Sequence, residues 1–242
     1  MAEDEEVVFT TSTGPVRVIT AASLFDGHDA AINVMRRLIQ SSGAEVIHLG
    51  HDQSAKAVVD CAVQEDAHAV ALTSYQGGHV EYFTYIRQLL DEAGCEHVRI
   101  FGGGGGTITP PEIRTLHQSG ISKIYSPDDG RTMGLMGMIH HLMGLASEVD
   151  LVGKERTDSL NGPVTPEDMA KVGLLLTLSE SADEKTFKAA VEACRSSDKD
   201  VPVIGFTGTG GAGKSSLLDE LMLRIQRCLL YTSPSPRDSD QS

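Results

Sequence analysis

Between residues 16 and 145, short β-branched runs alternate with longer stretches whose apolar residues recur at helical spacing. Residues 16–20 (VRVIT), 45–49 (EVIHL), 69–73 (AVALT), 98–101 (VRIF) and 123–125 (KIY) read as strands. Of the stretches between, residues 30–41 carry Ile32, Met35 and Ile39 on one helical face; the next carries Ala55, Val58, Val59, Ala62 and Val63. A third carries Val80, Phe83, Ile86 and Leu90. Pro110-Pro111 opens a short helix at its permissive first turn, and residues 131–146 form the last one. Units of this kind bury their apolar faces as a parallel sheet with helices on both sides. The expected fold class is α/β: a doubly wound, flavodoxin-like (Rossmann-like) parallel sheet over residues 15–149, in strand order 2-1-3-4-5.

After residue 149 the pattern changes. Pro163 and Pro166 interrupt it, and Thr165-Pro166-Glu167-Asp168 reads as a helix start with acid in its first turn. Residues 150–200 are expected to be a helical linker of two helices. A strand over residues 203–206 then leads into a glycine-rich loop and a helix over residues 215–227, the start of a second domain at 201–227. Residues 1–14 are expected to be disordered. Residues 228–242 have no helical period and two Ser-Pro steps; they resemble a translated sequencing adapter and are expected to lie outside the fold as an artefact tail.

A formal charge of −14 with no basic run argues against nucleic acid or an anionic membrane surface as partner. Cys61, Cys95, Cys194 and Cys228 are far apart and form no C-x-x-C pair, against a disulfide framework or a zinc site. The opening run Ala2-Glu3-Asp4-Glu5-Glu6 is the opposite of a signal peptide, and no apolar stretch approaches the ~20 residues that span a bilayer. A cytoplasmic location is expected.

Three loops that follow strands have unusual composition: Phe25-Asp26-Gly27-His28-Asp29, Ser74-Tyr75-Gln76-Gly77-Gly78-His79 and the run Gly102 to Gly106. In the expected strand order their strands are neighbours, so the loops converge on one cleft at the carboxyl ends of the strands. On an exposed loop, His28 can offer a neutral imidazole nitrogen to a metal. Asp26 can accept the other ring N–H, fixing the tautomer and raising ligand basicity. Ser74 brings a hydroxyl for a buried ring nitrogen, and Gly103 and Gly104 let a bulky ligand lie against the backbone. His48 and His51 read as polar loop residues ending the second strand, and His140-His141 as helical residues without a metal role.

The set Asp26-x-His28-x-x-Ala31, Ser74-x-Gln76, Gly103-Gly104 resembles the D-x-H-x-x-G…S-x-L…G-G signature of cobalamin-binding domains. The 42 residues between Ala31 and Ser74 and the 26 between Gln76 and Gly103 are also similar to that family's separations. Ala31 for glycine and Gln76 for leucine are the departures. The resemblance implies that the dimethylbenzimidazole base leaves cobalt for a deep pocket and that His28 replaces it as cobalt ligand. It also implies cofactor contacts at Gly27, Asp29, Tyr75 and Gly78. The segment DGHDAAINVMRR and the loop SYQGGH are similar to the fused isobutyryl-CoA mutases.

Gly208-Thr209-Gly210-Gly211-Ala212-Gly213-Lys214-Ser215 satisfies G-x-x-x-x-G-K-[ST]. Backbone N–H groups of such a loop and of the helix opened by Ser215 and Ser216 cradle phosphates. Lys214 would reach the β and γ phosphates, and the Ser215 hydroxyl would ligate Mg²⁺. No Walker-B aspartate or base-reading motif follows, so the stretch reads as the truncated start of a P-loop NTPase domain, and neither tight GTP binding nor hydrolysis is expected of it.

A cobalamin domain, a helical linker and a P-loop start in this order again resemble the fused isobutyryl-CoA mutases. That resemblance implies adenosylcobalamin, a radical rearrangement of isobutyryl-CoA to n-butyryl-CoA, GTP with Mg²⁺ in a built-in GTPase chaperone, and a homodimeric parent. The part that binds acyl-CoA is expected to lie beyond this fragment, so the fragment would bind cofactor without turnover. The alternative is a cobalamin carrier or sensor module fused to a GTPase metallochaperone. A flavodoxin-like signalling receiver is a more remote rival, because Ser74-Tyr75-Gln76 stands where a receiver needs its phosphorylatable aspartate.

Overall fold

The computed structural model describes residues 9–11, 13–165, 167–195 and 204–229. They fall into two compact units, 1–197 and 198–242. The first contains a hairpin of β1 (Thr10–Thr11) and β2 (Gly14–Pro15), then β3 (Arg17–Ser23), α1 (Asp29–Ser41), β4 (Glu45–Gln53), α2 (Ala55–Gln64), β5 (Ala69–Thr73) and α3 (His79–Glu92). It continues with β6 (Arg99–Gly103), a 3₁₀ turn (Gly105–Thr107), α4 (Pro110–Gln118), β7 (Lys123–Tyr125) and α5 (Pro127–Ser147). The helices α6 (Lys154–Asp158), α7 (Met169–Ser181) and α8 (Glu184–Ala193) complete it.

The main sheet has the order β4-β3-β5-β6-β7 and every pair is parallel, which is the expected doubly wound arrangement. Every residue of β5 is buried, as a central strand covered on both faces requires. On one side α2, α3 and α4 pack on Ile19, Val70, Leu72, Ile100 and Ile124; on the other, α1 and α5 cover Val18, Ala69, Ala71 and Phe101. Phe83, Ile86 and Leu90 of α3 are fully buried at helical spacing, and burying such side chains stabilises the fold by about 1.5–3 kcal/mol each. The order reverses between β3 and β5, so the loops after these strands diverge and leave a crevice at the carboxyl ends.

Several expectations are corrected. Residues 9–11 and 13–14 are not disordered: the hairpin is tied down by the Phe9 N–H donating to the Ser42 carbonyl at 3.1 Å, and Phe9 packs against the α1–α5 side of the core. β4 runs on to Gln53, so His48 lies within the strand, its Nδ1 2.9 Å from Thr20 Oγ1, and His51 is also in the strand. α5 starts at Pro127, where the Ser126 side chain and the Asp129 carboxylate form a capping box, and it is broken at Gly134 (φ 67°, ψ 176°). The stretch 150–195 contains three helices instead of two.

Those helices close on the sheet domain through a buried polar cluster. Arg156 donates to both Asp66 oxygens (2.6 and 3.4 Å), and Thr177 Oγ1 donates to Asp66 Oδ2 at 2.7 Å. Arg17 donates to Thr177 Oγ1 at 2.7 Å. At Gly173 a side chain would come within 2.9 Å of the Val63 carbonyl oxygen, so glycine allows α7 to approach α2 this closely.

In the second unit α9 spans Lys214–Leu229, two residues beyond the expected helix end. The expected strand over 203–206 is not formed: residues 204–206 have no regular structure, and Val203 lies outside the described residues. A single strand has no ladder partner for its backbone groups, so apolar composition alone does not make it a strand. Residues 230–242, most of the expected tail, lie outside the described residues. No helix among those described is long and apolar enough to cross a membrane.

Candidate functional site

The three glycine-bearing loops meet where the strand order reverses. β3 ends at Ser23, and the chain turns through Leu24 and Phe25 so that Asp26 points inward, fully buried, while the His28 side chain is 67% exposed. Asp26 Oδ1 accepts the His28 backbone N–H at 2.9 Å and lies 2.8 Å from His28 Nδ1. Asp26 Oδ2 accepts the Tyr75 N–H at 2.6 Å, tying the first loop to the second. Burial acts to raise the Asp26 pKa, but the bonds from Tyr75 and His28 outweigh it and hold the carboxyl below the usual carboxylate range. A carboxylate can only accept, so Nδ1 carries the proton of this bond, and in the neutral ring Nε2 is the nitrogen that keeps its lone pair. Although His28 occupies the N-cap position of α1, its side chain makes no cap bond. This is the Asp26–His28 pairing expected from the sequence.

The second loop is anchored at both ends. Ser74 is buried, and its hydroxyl accepts from Ser23 Oγ at 2.8 Å, a bond that leaves its own O–H to donate elsewhere. The half-buried Tyr75 sets its ring 5.5 Å from that of His28. Gly78 adopts φ 81° at the N-cap of α3, a conformation that itself calls for glycine. His79 Nδ1 lies 3.1 Å from the Gln76 carbonyl and Nε2 lies 3.3 Å from Glu112 Oε2, linking this loop to the start of α4.

The glycine run divides by role. A Cβ on Gly102 would collide with Phe83 and Ile124, and one on Gly104 with the Ser74 carbonyl oxygen. Expected to let a ligand lie against its backbone, Gly104 is buried instead, and the protein's own packing against Ser74 accounts for a glycine there. At Gly103 the nearest atom to an added Cβ is the Tyr125 carbonyl oxygen at 3.5 Å, so this glycine leaves real space beside the cleft.

Beneath Gly103 an apolar cavity of about 60 Å³ runs between α1 and α5, lined by Ile32, Met35, Phe101 and Met138 among others. Thr73 also lines it, and its buried Oγ1 has no hydrogen-bond partner. A buried hydroxyl without a protein partner costs free energy unless a water or a polar ligand atom meets it. Sequence reasoning missed Thr73, though a polar residue ending the apolar run AVALT was a visible signal. Ser23 and Asp52 were missed as well. Their roles depend on pairing across the sheet, which no local pattern carries.

Gly27 is exposed and Ala31 half-buried on α1. No group of three or more His, Cys, Asp or Glu side chains placed to hold a bare metal ion occurs among the described residues. In the second unit, Gly211 (φ 76°) and Gly213 (φ 75°) shape the loop before α9, and Lys214 Nζ donates to the Gly208 and Thr209 carbonyls at 2.8 and 2.7 Å.

Residues 16–126 match the B12-binding domain family. The chain is 51% identical over 218 residues to a fused isobutyryl-CoA mutase from Geobacillus kaustophilus, covering 87% of this chain and 20% of that protein. It is 51% identical over 211 residues to the fused isobutyryl-CoA mutase of Cupriavidus metallidurans, covering 87% and 19%. Against the 2-hydroxyisobutanoyl-CoA mutase small subunit of Aquincola tertiaricarbonis it is 33% identical over 115 residues, 47% of this chain and 82% of that one. The chain thus spans about a fifth of the length of the fused mutases it matches.

Proposed function

The chain belongs to the B12-binding domain family, and from that premise we propose that residues 16–126 hold adenosylcobalamin with His28 Nε2 as the protein ligand to cobalt. The Asp26–His28 pair carries the reading. Its buried carboxylate holds the Nδ1 proton, so the outward nitrogen is the basic one. One histidine would suffice, because a corrin ring brings nitrogen ligands of its own. Two features of the site agree with this: Gly103 leaves space at the cleft, and Thr73 offers a hydroxyl in an apolar cavity that, at about 60 Å³, has to widen to admit an aromatic base. Met35 and Met138 in the cavity wall are flexible enough to accommodate one.

When bound, adenosylcobalamin supplies a cobalt–carbon bond whose homolysis starts a radical carbon-skeleton rearrangement. The chain's own part is to bind and orient: His28 ligates, Asp26 fixes its ring, and the Tyr75 N–H keeps Asp26 ionised and in place. The parent activity is read as isomerisation of isobutyryl-CoA to n-butyryl-CoA by a cytoplasmic homodimer. The residues for acyl-CoA are read as lying in the part of the relatives' length that this chain does not span, about four-fifths of it. Residues 1–242 are read as a cofactor-binding portion of that parent.

For residues 208–216 the reading is a phosphate cradle for GTP and Mg²⁺, in the GTPase chaperone of that parent. Support comes from the G-x-x-x-x-G-K-[ST] pattern, the left-handed Gly211 and Gly213, and the helix that begins at Lys214. Calorimetry with GTP and Mg²⁺ tests it. Binding that Lys214→Ala abolishes supports the cradle, and binding indifferent to that change overturns it.

The test of the main reading is electron paramagnetic resonance of the chain with cob(II)alamin. Hyperfine coupling to one protein nitrogen is expected, and its loss in His28→Ala. Coupling unchanged in that variant would remove the assignment.

A further inference from the structure

Phe25 is a non-glycine residue in the left-handed region, φ 63°. An L-side chain is disfavoured there, and phenylalanine lacks the short polar group that lets asparagine or aspartate tolerate it. Burial does not offset this, because Phe25 is 79% exposed. Such a conformation persists where its surroundings hold it. Two hydrogen bonds do so: the Asp26 N–H donates to the Ser23 carbonyl at 3.0 Å, and the Phe25 N–H donates to Asp52 Oδ1 at 2.7 Å.

Asp52 reaches Phe25 because β4 is irregular. The β3–β4 register shifts twice, from Thr20↔His48 to Ala21↔Gly50 and then to Ser23↔Gln53, so β4 gains two residues over β3. Gly50 (φ 88°) and Asp52 (φ 56°) take the left-handed conformations that these bulges require. The end of the strand is fixed in turn by Tyr82 Oη, which donates to the Gln53 carbonyl at 2.8 Å. The turn at Phe25 is what sends Asp26 inward and His28 outward.

We infer that Asp52 is a positioning residue for the loop carrying His28, holding its left-handed turn through the Phe25 amide. The inference rests on the reading of His28 as cobalt ligand only for its functional consequence. Without Asp52 the turn relaxes, Asp26 and His28 lose their fixed relation, and cobalamin binding must first restore it.

The experiment uses the whole chain, with Asp52→Ala, Asp52→Asn and the double variant Asp52→Ala/Phe25→Gly. Asp52 is exposed but itself left-handed (φ 56°), so Asp52→Gly, which lacks the carboxylate yet is unstrained there, is measured beside the alanine and should behave like it. Amide exchange of Phe25 in the cobalamin-free chain reads the turn itself: slow in the parent and Asp52→Asn, fast in Asp52→Ala. Titration with hydroxocobalamin reads the consequence. Asp52→Ala should bind about tenfold more weakly, the lower end of what outer-shell partners cost. Asp52→Asn, which still accepts the bond, should bind like the parent, and Phe25→Gly should recover most of the loss because glycine needs no help to be left-handed. Unchanged exchange and affinity in Asp52→Ala would overturn the inference, as would an Asp52→Asn defect equal to that of alanine. If cob(II)alamin in the parent shows no protein nitrogen coupling, it is the ligand reading that fails, and the Phe25 exchange rates still decide the role of Asp52.

Discussion

Asp26 Oδ1 lies 2.8 Å from His28 Nδ1, with the carboxylate fully buried and the imidazole mostly in solvent. The pair therefore has a structural end and a working end. Asp26→Asn keeps the shape but can present an amide N–H to Nδ1, which favours the wrong tautomer. Cobalamin affinity is expected to fall about 10–100-fold, the range for such partners, and nitrogen coupling to broaden or weaken. The Asp26 pKa is lowered, so its stabilising bonds are present at neutral pH and are lost only as pH falls below about 4, through the depressed value. Cobalamin retention between pH 7 and 5 should be independent of Asp26, and a titration that tracks Asp26 in that range would refute the assignment.

The two glycines Gly103 and Gly104 should behave differently. Gly104→Ala drives a methyl into the Ser74 carbonyl and is expected to destabilise the fold by about 1–3 kcal/mol, toward the upper end because the obstacle is backbone. Gly103→Ala meets nothing nearer than 3.5 Å and should leave the melting temperature almost unchanged while weakening cobalamin binding. Equal melting losses in both variants would show that Gly103 is packed like its neighbour.

Thr73 makes a prediction of unusual sign. Its buried Oγ1 has no partner, so Thr73→Val removes an unsatisfied group while keeping the shape, and the free protein should be unaffected or slightly more stable. With its base proposed to lie against that hydroxyl, cobalamin should bind about 1 kcal/mol more weakly, whereas cobinamide, which lacks the base, should bind equally to both. Parallel titrations with the two ligands decide it. A loss common to both would place Thr73 outside the base pocket.

How far this site was legible follows from which signals are local. The strands 69–73 and 123–125 and the helices carrying Phe83 and Val58 announce themselves by periodicity, and the crevice follows from strand order. Asp26 and His28 sit two residues apart, so their pairing was visible. The bulges of β4 were not, because they arise from pairing with β3, and with them went Asp52 and the strand setting of His48. Gly104 was misjudged because glycine next to a ligand and glycine next to Ser74 look the same in one dimension. Apolar composition around Val203 promised a strand, but a strand needs a neighbour.

The cluster around Asp66 makes acid stability a test of the packing between the sheet domain and α6–α8. Burial, reinforced by Arg17 and opposed by Asp66, pushes His68 down to about 4. Burial and Arg156 push His97 down to about 4 against the same aspartate. Both imidazoles therefore stay neutral in the folded chain, while in the unfolded chain each takes up a proton near 6.5. A depressed folded pKa means stability is fully present above about pH 6.5. It drains as pH falls toward 4, because there the unfolded state binds more protons. Each group contributes a slope of at most about 1.4 kcal/mol per pH unit in that window. Urea unfolding between pH 7 and 5 should thus show stability falling steadily. His97→Gln replaces a side chain only 16% exposed with a neutral one that cannot titrate. Stability at pH 7.5 should change little in this variant, and the slope between pH 6.5 and 5 should drop by up to one proton. A parent chain with flat stability across that window would mean that neither imidazole is held neutral, and that the contact of Arg156 and Thr177 with Asp66 is looser than these distances describe.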